Sequence, residues 1–218
     1  GDFAIGSLTM AQRLFLDASI LTAETTDDGK RCRLHFKGGA IGPWFDAALP
    51  TLNLNHHEGV SRLETRATCA QTLLCIRQGL FTRFRDADGL RAKVFANDCD
   101  EDVCLSWFLF KNPHRVEQTM NPLLNRLVSM VDYLDTTAGA YPFPEALPAL
   151  RTLAWVFEPY RRFRLSGGLF SRNAAAFTSV VTDVEGRIEA YLVGRGEELP
   201  LDTRYEHLSM EEGWAHVQ

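Results

Sequence analysis

Twice along this chain a short apolar stretch runs into a knot of acidic or imidazole side chains and then into residues spaced as on a helix. Leu49 to Leu54 delivers Asn55-His56-His57-Glu58, after which Ala67, Ala70, Leu73, Leu74 and Leu80 recur at helical intervals within Glu64 to Leu80, with Gly79 near a natural stop. Arg91 to Ala96 delivers Asp98-Cys99-Asp100-Glu101-Asp102, and Val103 to Phe110 continues as a strongly apolar helix. Strand, polar loop and helix in repetition predict an α/β layered fold, a mostly parallel sheet with helices on both faces. In such a fold the ligand crevice lies at the carboxyl ends of the strands, where both polar knots fall.

The remaining pattern fills in around this unit. Asp27-Asp28-Gly29-Lys30 has hairpin-turn chemistry, and Arg31 to Phe36 alternates apolar and polar residues as a half-buried strand until Gly38-Gly39 breaks it. Asn121-Pro122 is an N-cap with proline at the first helical position, and the helix runs through Leu123, Leu124, Leu127, Val128, Val131 and Leu134 toward Gly139. Pro142, Pro144 and Pro148 then mark a boundary between a metal-binding α/β body over 1–140 and a small C-terminal α+β part over 150–218. In that part Thr152 to Phe157 reads as a strand, Ser171 to Val181 as a helix or helical turn and Arg187 to Val193 as another short element. With 218 residues the chain can bury the core of one compact domain or one domain with a small appendage.

Composition narrows the functional classes. A net charge of −5 and a pI near 5.7 argue against a broad basic surface for duplex nucleic acid, leaving a nucleotide or short single strand. Five cysteines, Cys32, Cys69, Cys75, Cys99 and Cys104, form no CxxC pair, and an odd number cannot all pair within one chain, so reduced thiols in a cytoplasmic setting are the simpler reading. No apolar run approaches the roughly 20 residues of a spanning helix, and the sequence opens on no basic-then-apolar segment, so neither anchor nor export signal is expected.

Imidazoles and closely spaced carboxylates are the donors of a hard or borderline divalent cation, and three places in the chain offer them. His56 and His57 follow a strand end, where both side chains can turn toward one pocket; the plain alternative is one buried, hydrogen-bonded histidine beside an exposed one. Asp98, Asp100 and Asp102 alternate with Cys99 and Glu101, and an extended backbone would set the three on one side; the alternative is an acidic turn capping the helix that follows. Asp132 and Asp135 share a helix face, and the alternative there is an exposed edge. Arg161, Arg162 and Arg164 beside Ser166-Gly167-Gly168 make a basic cluster suited to phosphate oxygens, against the alternative of a charged strand edge.

Together these places resemble the signature of the DHH phosphoesterase superfamily in permuted order. Asp98-Cys99-Asp100-Glu101-Asp102 is similar to its His-x-Asp-x-Asp motif with Asp at the leading position. Asn55-His56-His57-Glu58 is similar to its Asp-His-His triplet with Asn first, and Val131-Asp132-Tyr133-Leu134-Asp135 to its late aspartate. The resemblance covers about residues 37 to 139. It implies two Mn²⁺ or Mg²⁺ ions held by Asp98, Asp100, Asp102, His56 or His57, and Asp132 or Asp135, with His56 and His57 aiding catalysis. It also implies a C-terminal part contacting substrate through Arg161, Arg162, Arg164, Gly167 and Gly168. The expected activity is metal-dependent hydrolysis of a small phosphate ester, nucleotide or short oligonucleotide; the alternative is a non-catalytic phosphate- or nucleotide-binding regulatory module. No membrane partner is expected, and a homodimer is compatible with the residues.

Overall fold

Helix dominates what a computed structural model of the chain describes, namely residues 32–35, 44–46, 51–54, 56, 60–61, 63–83, 85–86, 89–90, 92–96, 98–117, 121–137, 149–171 and 173–196. The expected hairpin turn at 27–30, the Gly38-Gly39 break, His57 and the proline-rich connection at 142–148 lie outside those residues.

The strands are short. β1 (Cys32–His35) pairs in parallel with β3 (Thr51–Asn53) and β6 (Ala92–Phe95), while β2 (Trp44–Asp46) pairs antiparallel with β3, giving the order β2-β3-β1-β6. A separate two-residue hairpin joins β4 (Arg85–Asp86) to β5 (Gly89–Leu90). Leu52 and Leu54, and likewise Val94 and Ala96, are buried two apart, the period that puts alternate side chains on one face.

The helices form the core. α1 (Thr68–Arg77) ends at Gly79, whose φ of 84° is the left-handed conformation that closes helices. After the short α2 (Leu80–Arg83) comes α3 (Glu101–Lys111), buried from Asp102 through Phe110. A helix apolar on every side belongs at the centre of a protein, and α3 is packed by α1, by α5 (Pro122–Thr137) and by α8 (Ala174–Leu192). Short α4 (His114–Glu117) also leans on α1. α5 turns Leu124, Leu127, Val128 and Val131 inward, a single stripe at helical spacing, and Asn121 Oδ1 accepts from Leu124 N at 3.1 Å ahead of Pro122, the cap that Asn121-Pro122 foretells. α6 (Ala149–Val156) and α7 (Glu158–Leu165) pack on α8 beside a 3₁₀ turn over Gly168–Ser171.

This corrects the expected fold class. A layered, mostly parallel sheet with helices on both faces does not form among the described residues: the strands are two to four residues long, and the helices take other helices as their main partners. The C-terminal α+β expectation fails as well, since no described residue beyond Phe95 is in a strand. Thr152 to Phe157, strand-like in its β-branched and aromatic content, is helical because its burial is: Leu153, Val156, Phe157 and Tyr160 recur at i, i+3, i+4 and i+7. Arg187 to Leu192 is the end of α8, not a separate element, and α8 shares one apolar cluster with α3 and α5. No helix among the described residues is long and apolar enough to cross a membrane.

Two glycines on these C-terminal helices give opposite expectations. A Cβ at Gly168 would overlap the Phe163 ring, itself fixed edge-on against Phe177 at 5.3 Å between centroids, so Gly168→Ala should cost about 1–3 kcal/mol. Nothing lies within 4 Å of a Cβ at Gly186, inside α8, so Gly186→Ala should stabilise by roughly 0.5–1 kcal/mol. Urea melts of the two variants check the sign of each change.

Candidate metal centre

α1 starts without a cap of its own. Ala67 stands at the N-cap position and offers no side-chain oxygen, so the first backbone N–H groups must find acceptors elsewhere. Two carboxylates from distant helices supply them. Asp132 of α5 accepts from Ala67 N at 2.7 Å through Oδ1. Asp102 of α3 accepts from Thr68 N through Oδ2 at 3.0 Å and from Cys69 N through Oδ1 at 2.6 Å. The positive end of the α1 dipole favours negative charge here, and charged acceptors make the stronger hydrogen bonds.

His56 arrives at the same place from the strand side. Both Thr68 Oγ1 and Gln71 Nε2 donate to Leu54 O, at 3.0 and 3.3 Å, which binds the end of β3 to the first turns of α1. The fully buried His56 ring then lies with Nε2 2.9 Å from Asp135 Oδ2 and 3.3 Å from Asp102 Oδ2. One ligand atom from each of His56, Asp102 and Asp135 falls within 4.8 Å of the others.

The charges follow from this packing. Burial works to lower the pKa of His56, but the hydrogen bonds and negative charges of Asp102 and Asp135 outweigh it and push the imidazole up to about 9. That shift favours the protonated imidazole of His56 at neutral pH in metal-free protein. Burial also raises the Asp132 carboxyl, despite the Ala67 N–H and Arg66 opposing it. The thiols of Cys69, Cys99 and Cys104 are driven up by burial and by neighbouring acids, which removes the thiolate that nucleophilic chemistry needs.

Enclosure is uneven. The side chains of His56 and Asp102 are 0% and 3% exposed and that of Asp135 is 24% exposed, while its Oδ2, the atom facing His56, is itself buried. One imidazole and two carboxylates are three protein donors of the kind that can hold a divalent ion.

Of the residues singled out in the sequence, the structure brings together His56, Asp102 and Asp135. Asp132 sits one turn before Asp135, occupied by Ala67 N and by Arg66 Nη1 at 2.9 Å. Asp98 and Asp100 do not join the group in the way an extended backbone would require. The helix begins at Glu101, so Asp102 is rotated away into the core, while Asp100 Oδ1 accepts from Val103 N at 3.0 Å as the N-cap of α3 and Asp98 Oδ1 accepts from Cys99 N at 2.7 Å. Capping, the plainer alternative for that turn, is what Asp100 does.

The expected substrate-gripping arginines lie on helix α7, not on a strand edge, and α7 packs with α6, α8 and the 3₁₀ turn. Arg161 pairs with Glu101 and Arg162 with Glu158, at 3.3 and 3.2 Å, while Gly167 takes a φ of 78° in the turn that follows. The sequence reading missed Arg66 and the backbone N–H groups of α1. A signal for the latter existed: a helix opening Arg66-Ala67-Thr68-Cys69, with no capping side chain before its first turn, must borrow its acceptors.

Set against protein-family models, curated proteins and solved structures, the chain matches none.

Proposed function

We propose that this protein is a divalent-metal-dependent hydrolase in which His56, Asp102 and Asp135 hold the ion and a small phosphate ester, nucleotide or short oligonucleotide is the substrate. The convergence of those three donors from a strand end and two helices carries the reading. Carboxylate donors suit Mn²⁺ or Mg²⁺, and the imidazole favours Mn²⁺ of the two. A bound ion would supply a water of lowered pKa and a Lewis acid for the phosphoryl oxygen. Asp102 is held in place by two α1 N–H groups, and Asp135 supplies the more exposed carboxylate. The motif likeness to DHH phosphoesterases supports the phosphate ester as substrate class, and the free Cys69, Cys75, Cys99 and Cys104 support a cytoplasmic setting.

A thermal melt with Mn²⁺ tests this. At a free ion concentration 100 times Kd the folded state gains about 2.7 kcal/mol, a rise in Tm of roughly 5–10 °C for a chain of this size, reversed by chelator. Asp135→Asn, nearly isosteric, should abolish the rise and any Mn²⁺-dependent cleavage of bis-p-nitrophenyl phosphate. A wild-type melt indifferent to Mn²⁺, Mg²⁺ and Zn²⁺ would remove the proposal.

A second reading, a non-catalytic phosphate- or nucleotide-binding module, is favoured by one observation. Both oxygens of Asp102 already accept backbone N–H groups, and a protonated His56 balances charge without an ion. Nucleotide binding by calorimetry in chelator, with no turnover in Mn²⁺, would select it.

A further inference from the structure

We infer that the end of α7 and the 3₁₀ turn after it form a contact site for an anionic lipid surface, in which Leu165 and Phe170 enter the headgroup region and Arg161, Arg162 and Arg164 meet its acidic groups. The inference is independent of the metal centre.

Leu165 and Phe170 are the two most exposed large apolar side chains among the described residues, at 78% and 90%. The turn between and around them is firmly built. Gly167 takes a φ of 78°, which favours glycine, and a Cβ there would lie 3.7 Å from the Phe170 ring. Phe170 N donates to Gly167 O at 3.0 Å, and Ser171 Oγ donates to Gly168 O at 2.6 Å. On the inner side Phe163 leaves no room for a Cβ at Gly168 and packs edge-on against Phe177 of α8. Inner rings thus anchor the turn while two apolar side chains point outward.

Positive charge flanks them. Residues 158–171 hold three arginines and one glutamate, net +2 in a chain whose total is −5. Arg161 and Arg162 stand four and three residues before Leu165, and so beside it on the helix surface. Arg162 is 70% exposed although it pairs with Glu158, and Glu158 is shared with Arg187. Glu158 and Glu101, the partner of Arg161, are each less than a third exposed, so the arginines reach further into solvent than the acids they hold.

Exposure decides the partner. A side chain lining a groove is shielded by the groove walls; Leu165 and Phe170 are shielded by almost nothing, so they are tips, and a tip needs a receiver that deforms around it. A bilayer interface takes apolar tips to a shallow depth while arginines beside them reach anionic headgroups. Because the rest of the chain carries the negative charge, such a surface also turns this end of the molecule toward itself. A second copy of the chain fits less well, since a two-fold contact would set the same arginines against one another. Surface contact requires no spanning helix, so the lack of one among the described residues is no obstacle.

The test is co-sedimentation of the full chain with vesicles of phosphatidylcholine alone and of phosphatidylcholine mixed with phosphatidylserine, for wild type and the double variants L165S/F170S and R162Q/R164Q. All the altered positions are exposed, so urea midpoints of both variants should match wild type. Wild type should bind the mixed vesicles about tenfold more tightly than phosphatidylcholine alone, and added salt should erase the difference. Each double variant should lose about tenfold or more on the mixed vesicles. Wild type that ignores both kinds of vesicle overturns the inference, and a dimer in ultracentrifugation that L165S/F170S then breaks would assign the patch to a second copy instead. Loss in R162Q/R164Q with none in L165S/F170S overturns it as well, leaving adsorption by charge alone.

Discussion

Asp102→Ala is expected to remove roughly 4 kcal/mol or more of stability and the metal affinity with it. The carboxylate satisfies Thr68 N and Cys69 N, and each backbone donor left buried without an acceptor costs about 1–3 kcal/mol. It is also one of the two acids around His56, and stripping a partner from a buried charge adds a penalty of comparable size. Against a total of about 5–15 kcal/mol for a typical domain, the loss leaves little in reserve. Asp102→Asn separates the parts: the amide oxygen can still accept one of the α1 bonds, so stability should recover in part while Mn²⁺ binding stays lost. Urea midpoints with and without Mn²⁺ measure both. An Asp102→Ala protein as stable as wild type would show that α1 does not depend on acceptors from α3.

In metal-free protein, stability should fall as pH rises from 6.5 to about 9, by an amount on the order of 3 kcal/mol, and His56 should be responsible. The sign follows from the direction of the shift. The folded pKa lies above the unfolded one, so the folded state holds the proton more tightly; that contribution is complete below pH 6.5 and gone once the pH passes the folded pKa. His56→Gln should flatten the decline over this window. Bound Mn²⁺ should flatten it too, because the ion takes the place of the proton and binds more strongly as pH rises. Identical pH profiles for wild type and His56→Gln would assign the decline to other groups.

What the residues disclosed and what they concealed divide along range of interaction. The strands at 32–35, 51–53 and 92–95 and the helix at 122–137 were readable because local alternation, helical spacing and the Asn121-Pro122 start signal act over a few residues. The packing of the helices on one another was not, since apolar runs such as Val103 to Phe110 serve equally in a helix between sheet layers and in one between other helices. The helix at 149–156 was hidden by strand-forming residue types whose buried positions nevertheless keep helical spacing. At the candidate centre, His56, Asp102 and Asp135 could each be named as metal-ligating types. That Asp102 parts company with Asp98 and Asp100 depends on α3 beginning at Glu101, the fourth residue of the run Asp98 to Asp102.

The borrowed start of α1 bears on the order of events as the chain is made. Residues 67–69 leave the ribosome well before Asp102 and Asp132 exist, and a ten-residue helix lacking its own end signal is too short to hold in water by itself. Its final formation therefore waits on loop closures spanning tens of residues, making this segment a late arrival in folding and leaving its apolar face exposed to misassociation until the downstream helices emerge.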